Sequence, residues 1–116
     1  MAVTFMLPSK PFEVLLFRDL RGRSPFQEWF EALDVHAARK VTAAIIEFEC
    51  GNFSDSKNFG GGIWERRIHA GPGFRVYYGR DLQCLVILLS GGTKRTQVRD
   101  VKKSRVMWYE YKTHTN

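Results

Sequence analysis

The 116-residue sequence predicts a single α+β domain spanning 1–116, in the order β-α-α-β-β-β-α, with an antiparallel sheet packed on a helical hairpin and a C-terminal helix. Three observations predict it. Hydrophobic residues make up 44% and charged residues 26%, a globular balance. Between residues 24 and 50 the apolar residues recur at helical spacing. From Gly60 onward the period changes to short apolar runs separated by glycine turns.

Each element has its own signal. Residues 1–11 are expected to be a flexible extension, and Phe12 to Phe17 (FEVLLF) reads as the first strand. Ser24-Pro25-Phe26-Gln27 is a helix start, with Ser24 as cap, Pro25 in the first turn and Gln27 closing a capping box. Phe26, Trp29, Phe30 and Leu33 then form one apolar stripe, read as core. Asp34 caps a second helix to about Cys50, whose buried face is Ala37, Val41, Ala44, Ile45 and Phe48, with Gly51-Asn52 as the stop. Three strands follow, GGGIWERRI, GPGFRVYY and QCLVILLSGG, joined by breaks short enough for hairpins at residues 70–73 and 80–83. Cys84 to Leu89 is apolar without alternation, as a central strand covered on both faces requires. A last helix runs from Arg99 to about Lys112, with Val98, Val101, Trp108 and Tyr111 on one face and Arg99, Lys102 and Lys103 on the other.

Several function classes are excluded at this stage. No apolar run approaches the ~20 residues of a membrane helix, and the N-terminus lacks the pattern of a signal peptide. Cys50 and Cys84 have no CxxC spacing and read as two buried free thiols, consistent with a cytoplasmic protein. His36, His69 and His114 form no ligand cluster, so neither metal nor cofactor is expected. Gly60-Gly61-Gly62 and Gly91-Gly92-Thr93-Lys94 lack phosphate-loop spacing and read as turns. Ser90 has no nucleophile-elbow context.

Charge is distributed unevenly. Residues 1–56 carry a net −2, whereas residues 57–105 carry +8. Such asymmetry points to a polyanion, nucleic acid ahead of a membrane surface. Strand alternation puts Glu65, Arg67, Arg75 and Tyr77 on one face, with Trp64, Ile68, Phe74, Val76 and Tyr78 on the other. If the helical hairpin covers the second set, the first occupies a free basic surface over which Lys94 could curl. Guanidinium forks on rigid strands suit phosphate. Arg66 falls on the apolar side, and must lie at an edge, snorkel, or pair with Glu47 or Glu49.

Gly51-Asn52, Asp55, Lys57, Glu65, Arg67-Ile68, Gly71-Pro72-Gly73, Arg75-Val76-Tyr77, Gly91-Gly92, Lys94, Gln97 and Asp100-Val101 together resemble the RelE/ParE toxin superfamily. Within it, the likeness is to the HigB-like addiction module killer proteins. The likeness spans about residues 24–105, with Phe74, Arg66 and Thr93 departing from the usual tyrosine, leucine and aspartate. The resemblance implies a RelE-like fold and the toxin of a type II toxin–antitoxin system, neutralised by a cognate antitoxin, often of helix-turn-helix type. It also implies a metal-independent endoribonuclease acting on mRNA, commonly on the ribosome, without a cofactor, and so a translation inhibitor. Carried onto this chain, the family's basic site residues fall on Arg67, Arg75 and Lys94. Glu65 is the candidate base by position, with His69 as substitute. Lys57, Tyr77, Arg95, Gln97, Arg99 and Lys102 are the expected RNA contacts. The rival expectations are a ParE-like, non-catalytic inhibitor of DNA gyrase or topoisomerase, and a non-toxic basic nucleic-acid-binding module.

Overall fold

The computed structural model describes residues 10–81 and 84–115. Residues 1–9 of the expected extension and residues 82–83 of the last hairpin break lie outside the described residues. The elements are β1 (Glu13–Leu16), α1 (Pro25–Glu31), α2 (Val35–Glu49), β2 (Ser56–Asn58), β3 (Ile63–Ile68), β4 (Phe74–Asp81), β5 (Leu85–Thr93), a 3-10 turn (Lys94–Thr96) and α3 (Gln97–Thr115). The fold is α+β, as the hydrophobic periods predict.

The helix starts follow from their caps. Ser24 Oγ accepts from the Gln27 N–H at 3.1 Å, and Asp34 Oδ1 accepts from the Ala37 N–H at 2.8 Å. The capping box of α1 is only half made, because the Gln27 side chain turns forward to Glu31 Oε1 at 2.8 Å.

Strand order is β1-β5-β4-β3-β2. β3, β4 and β5 are consecutive antiparallel neighbours, as their short connections require. Two features correct the expected sheet. β1 pairs parallel with β5, Glu13 opposite Leu85 through Leu16 opposite Leu88, so the sheet is mixed rather than antiparallel. A parallel partner is open to β1 because the chain crosses over through two helices before returning to the sheet. An added three-residue strand, β2, pairs antiparallel with β3 at the far edge.

Both faces are covered. Phe26, Val41, Ala44 and Phe48 of α1 and α2 close over Ile68, Val76, Tyr78, Val86 and Leu88. On the other face Trp108 of α3 joins Phe17, Ile63, Tyr77, Ile87 and Leu89. Arg66 resolves by pairing, its Nη2 donating to Glu47 Oε1 at 2.9 Å with the guanidinium near the Phe48 ring.

Four further expectations are corrected. The last helix starts at Gln97, and Val98 is 85% exposed instead of sharing the face of Val101, Trp108 and Tyr111. Gly91 and Gly92 lie inside β5, not in a turn; a Cβ on Gly91 would collide with the Trp29 ring, and one on Gly92 with the Asp100 carboxylate. Arg80 and Asp81 extend β4 where a turn was expected. Cys50 and Cys84 are exposed, because Cys50 lies beyond the last turn of α2 and Cys84 occupies a left-handed position (φ 66°) leading into β5. Among the described residues no helix is long and apolar enough to cross a membrane.

Candidate functional site

One end of the sheet gathers the cations. Register sets Arg67 of β3 opposite Arg75 of β4, and Arg75 opposite Gly92 of β5, two residues before Lys94. With adjacent strands ~4.8 Å apart, the three rows span about 10 Å of backbone. Arg67 Nε lies 3.5 Å from Asp55 Oδ1, and Arg75 Nε lies 3.5 Å from Glu65 Oε2. Both Nε atoms are buried and make no hydrogen bond. The two guanidinium groups are therefore held by charge at distances too long to saturate them as donors. Lys94 is exposed, and among the described residues it forms no ion pair.

The face bearing these residues is not free. α3 crosses it and seals Glu65 (1% exposed) and Tyr77 (0% exposed). Glu65 Oε2 accepts from the Tyr77 hydroxyl at 3.0 Å and from Gln97 Nε2 at 2.8 Å, with Arg75 at its side. A carboxylate buried under those donors has no path to a substrate hydroxyl, which corrects Glu65 as candidate base; it positions Arg75 instead. Tyr77 and Gln97 are corrected as RNA contacts for the same reason, since their polar ends are turned to Glu65. Burial first, and then the Glu65 charge, pushes the Tyr77 phenol well above its ordinary range, so it stays a neutral donor.

An exposed imidazole sits beyond Arg67 at the end of β3. His69 follows β3, and its Nε2 lies 2.6 Å from Asp55 Oδ2, with its own side chain 79% exposed. A carboxylate only accepts, so Nε2 carries a proton in this contact, and Nδ1 is the ring nitrogen that takes no part in it. Asp55 therefore anchors both Arg67 and His69. It precedes the edge strand in a left-handed backbone position (φ 55°), which Asp tolerates better than most residues, and its carbonyl accepts from the Arg67 N–H at 3.0 Å. Asp55 drew attention only as a position in the family-like pattern. Its pairing depends on the short β2 strand that hydrophobic alternation does not reveal.

The remaining predicted contacts are dispersed over the surface. Lys57 is exposed on β2 with its ammonium 5.0 Å from the Phe59 ring centroid. Arg95, Arg99 and Lys102 are exposed along the 3-10 turn and α3. Asp100, at 3% exposure, accepts from Thr96 Oγ1 and lies against Gly92, locking the start of α3 to β5. Among the described residues no group of three His, Cys, Asp or Glu side chains could hold a metal ion. The arrangement can bind an anion through two arginines and a lysine, and exchange a proton through His69 at its margin.

Comparison with known proteins bears on the same region. Residues 28–107 match the family described as "Phage derived protein Gp49-like (DUF891)". The chain is also similar to a curated protein of Haemophilus influenzae, described as uncharacterized. That protein is 41% identical over 86 residues, which cover 73% of this chain and 87% of the relative. The family match takes in β3, β4, β5 and all the cations of the site.

Proposed function

The chain belongs to the Gp49-like family of phage-derived proteins, a family associated with RelE-like toxins of toxin–antitoxin systems, and from that premise we propose that it is such a toxin. In this reading it is a HigB-like, metal-independent endoribonuclease that cuts mRNA in association with the ribosome and is neutralised by a cognate antitoxin. The observation that carries the reading is the placement of Arg67 and Arg75 side by side on neighbouring strands, each aligned by a carboxylate 3.5 Å from its Nε, Asp55 for Arg67 and Glu65 for Arg75. A phosphate would be met by the guanidinium nitrogens that those carboxylates leave over.

The reaction follows from what these groups can do. The 2′-hydroxyl of one nucleotide attacks the adjacent phosphorus while the bond to the 5′ oxygen breaks, leaving a 2′,3′-cyclic phosphate and a 5′-hydroxyl. His69 takes the 2′ proton at Nδ1, with Asp55 orienting the ring and stabilising the imidazolium, and later returns that proton to solvent. Arg67 and Arg75 hold the non-bridging oxygens as their charge grows. Lys94 balances charge on the leaving oxygen, which is protonated by water. Because His69 is so exposed, orientation of the substrate must come from elsewhere, and a ribosome-held strand would provide it.

The test is to map cut ends on mRNA with purified protein, with and without ribosomes, alongside Arg75→Ala. Fragments bearing 5′-hydroxyl ends are expected, and Arg75→Ala should cut about a hundredfold more slowly. An Arg75→Ala protein as active as the parent would overturn the assignment. Pulse-labelling after induction separates this reading from topoisomerase inhibition: protein synthesis stops before DNA synthesis if the target is mRNA.

A further inference from the structure

A second cleft lies between the Gly60–Gly62 loop and the later turns of α3, lined by Gly61, Ile63, Arg105, Trp108, Tyr109 and Lys112, with a volume of about 190 Å³. Its lining contains two cations, a phenol and an indole, and no carboxylate. The acids of α3 are turned elsewhere, Asp100 to Thr96 and Glu110 to a separate groove beside Leu16 and His114. Arg105 is fixed at the rim by donating to the carbonyls of Phe59 at 2.6 Å and Gly60 at 3.2 Å. Lys112 is held with its ammonium 5.6 Å from the Trp108 ring centroid.

Two features here have no role in the fold. Tyr109 is 67% exposed, a large flat ring kept in solvent. The Trp108 indole N–H is buried with no acceptor, packed under Gly62, where a Cβ would stand 2.6 Å from the nitrogen. A buried donor left unpaired is costly, and a small displacement of this glycine loop by an incoming acceptor would relieve it.

The cleft and the arginine site lie along the same strand. Along β3, Arg67 and Ile63 are four residues apart, about 13 Å. Lys57 stands between them on the edge strand, opposite Glu65. Along this edge the cations therefore follow in the order Arg67, Lys57, and then Arg105 and Lys112 beside Ile63.

We propose that this cleft is a second RNA subsite, which holds a nucleotide of the single strand flanking the cut linkage, its base stacked on Tyr109 and its phosphate on Lys112 and Arg105. The proposal rests on the ribonuclease reading above. It is tested by measuring binding of purified protein to uniformly 2′-O-methylated RNAs of three and nine nucleotides, which the reaction cannot cut. Tyr109→Ala should weaken binding of the longer RNA about tenfold while Tyr109→Phe does not, because stacking needs the ring and not the hydroxyl. Lys112→Ala should weaken it and flatten its salt dependence. Neither should change binding of the trinucleotide. Parental affinity for the longer RNA in both alanine variants would overturn the subsite while leaving the ribonuclease reading intact, and so would an equal loss on both RNAs. A parent protein that binds the nine-nucleotide RNA no more tightly than the trinucleotide would overturn the subsite too, whereas the ribonuclease reading stands or falls on the cut ends mapped with ribosomes.

Discussion

On the α1–α2 side of the sheet, Phe26, Val41, Ala44 and Phe48 meet Ile68, Val76, Tyr78, Val86 and Leu88, and Arg66 pairs with Glu47 at the margin. On the α3 side, Ile63, Tyr77, Ile87, Leu89 and Trp108 share the interior with buried Glu65, Ser90, Asp100 and Ser104. One sheet therefore has a largely apolar face and a face threaded with polar groups, and the second carries Arg67 and Arg75, the two arginines of the site. Polar burial is dearer than apolar burial unless each group finds a partner. Here the partners are present: Tyr77 and Gln97 for Glu65, Ser90 for Ser104, and Thr96 for Asp100. The comparison teaches that the first face is given over to apolar packing, while the second combines apolar packing with polar contacts that fix Arg75 and the start of α3.

The largest effect that could break this comparison is on the apolar face. Phe48 is fully buried, packed 4.5 Å from the Tyr78 ring centroid and 5.5 Å from that of Phe53. Phe48→Ala should cost about 4 kcal/mol of unfolding free energy, measured by urea titration. Cleavage per folded molecule should be unchanged, since no residue of the site touches that ring. A Phe48→Ala protein that stays stable but loses activity would show that the two faces are not separable in this way.

Glu65→Leu probes the other face. It leaves the Tyr77 hydroxyl, the Gln97 amide and the Arg75 guanidinium without their shared acceptor, and should cost about 3 kcal/mol. Unlike Phe48→Ala, it should also slow cleavage by the folded fraction, because Arg75 loses the charge that holds it. Glu65→Gln, which keeps the shape and one acceptor oxygen, should recover much of the stability and less of the rate. If Glu65→Leu folds poorly, the Gln variant still carries the test. Equal rates per folded molecule in the parent and the Gln variant would remove Glu65 as a positioning residue.

The same contrast explains what the sequence made legible. The apolar face could be read in advance because its residues follow the helix and strand periods, from Phe26 and Phe48 to Val76 and Tyr78. The cation-bearing strands were legible too, since alternation alone groups Glu65, Arg67, Arg75 and Tyr77. The polar burial was not. The inward stripe of α3 runs Gln97, Asp100, Val101, Ser104, Trp108 and Tyr111, polar through its first half, so hydrophobic periodicity fails there. That failure misplaced Val98 and left open a face that α3 in fact covers. Likewise β2 is Ser-Lys-Asn, without an apolar residue to announce it, and so the pairing of Asp55 with Arg67 and His69 was hidden. Gly91 and Gly92 looked like turn residues because close approach and tight turning call for the same residue.

The smallest effect is the most diagnostic of the polar face. Tyr77→Phe deletes one donor to Glu65 while Gln97 and Arg75 remain, and should cost about 1 kcal/mol near neutrality. The dependence on pH then has a definite sign. The Tyr77 phenol is raised in the folded protein, by burial first and by Glu65 second, above the value near 10 that it has when unfolded. Below about pH 10 both states are protonated and the contribution of the hydroxyl is complete. Above it the unfolded chain loses the proton while the folded one keeps it, so stability falls as pH rises. Tyr78 and Tyr111 are raised as well and bend the parent and variant curves alike. The advantage of the parent over Tyr77→Phe should therefore hold at neutral pH and disappear within about one pH unit above 10, one proton being worth about 1.4 kcal/mol per unit. Urea midpoints for the two proteins across that interval measure it directly. An advantage that persisted or widened with rising pH would mean that the hydroxyl is not sealed against Glu65, and that the α3 face is wetter than its packing implies.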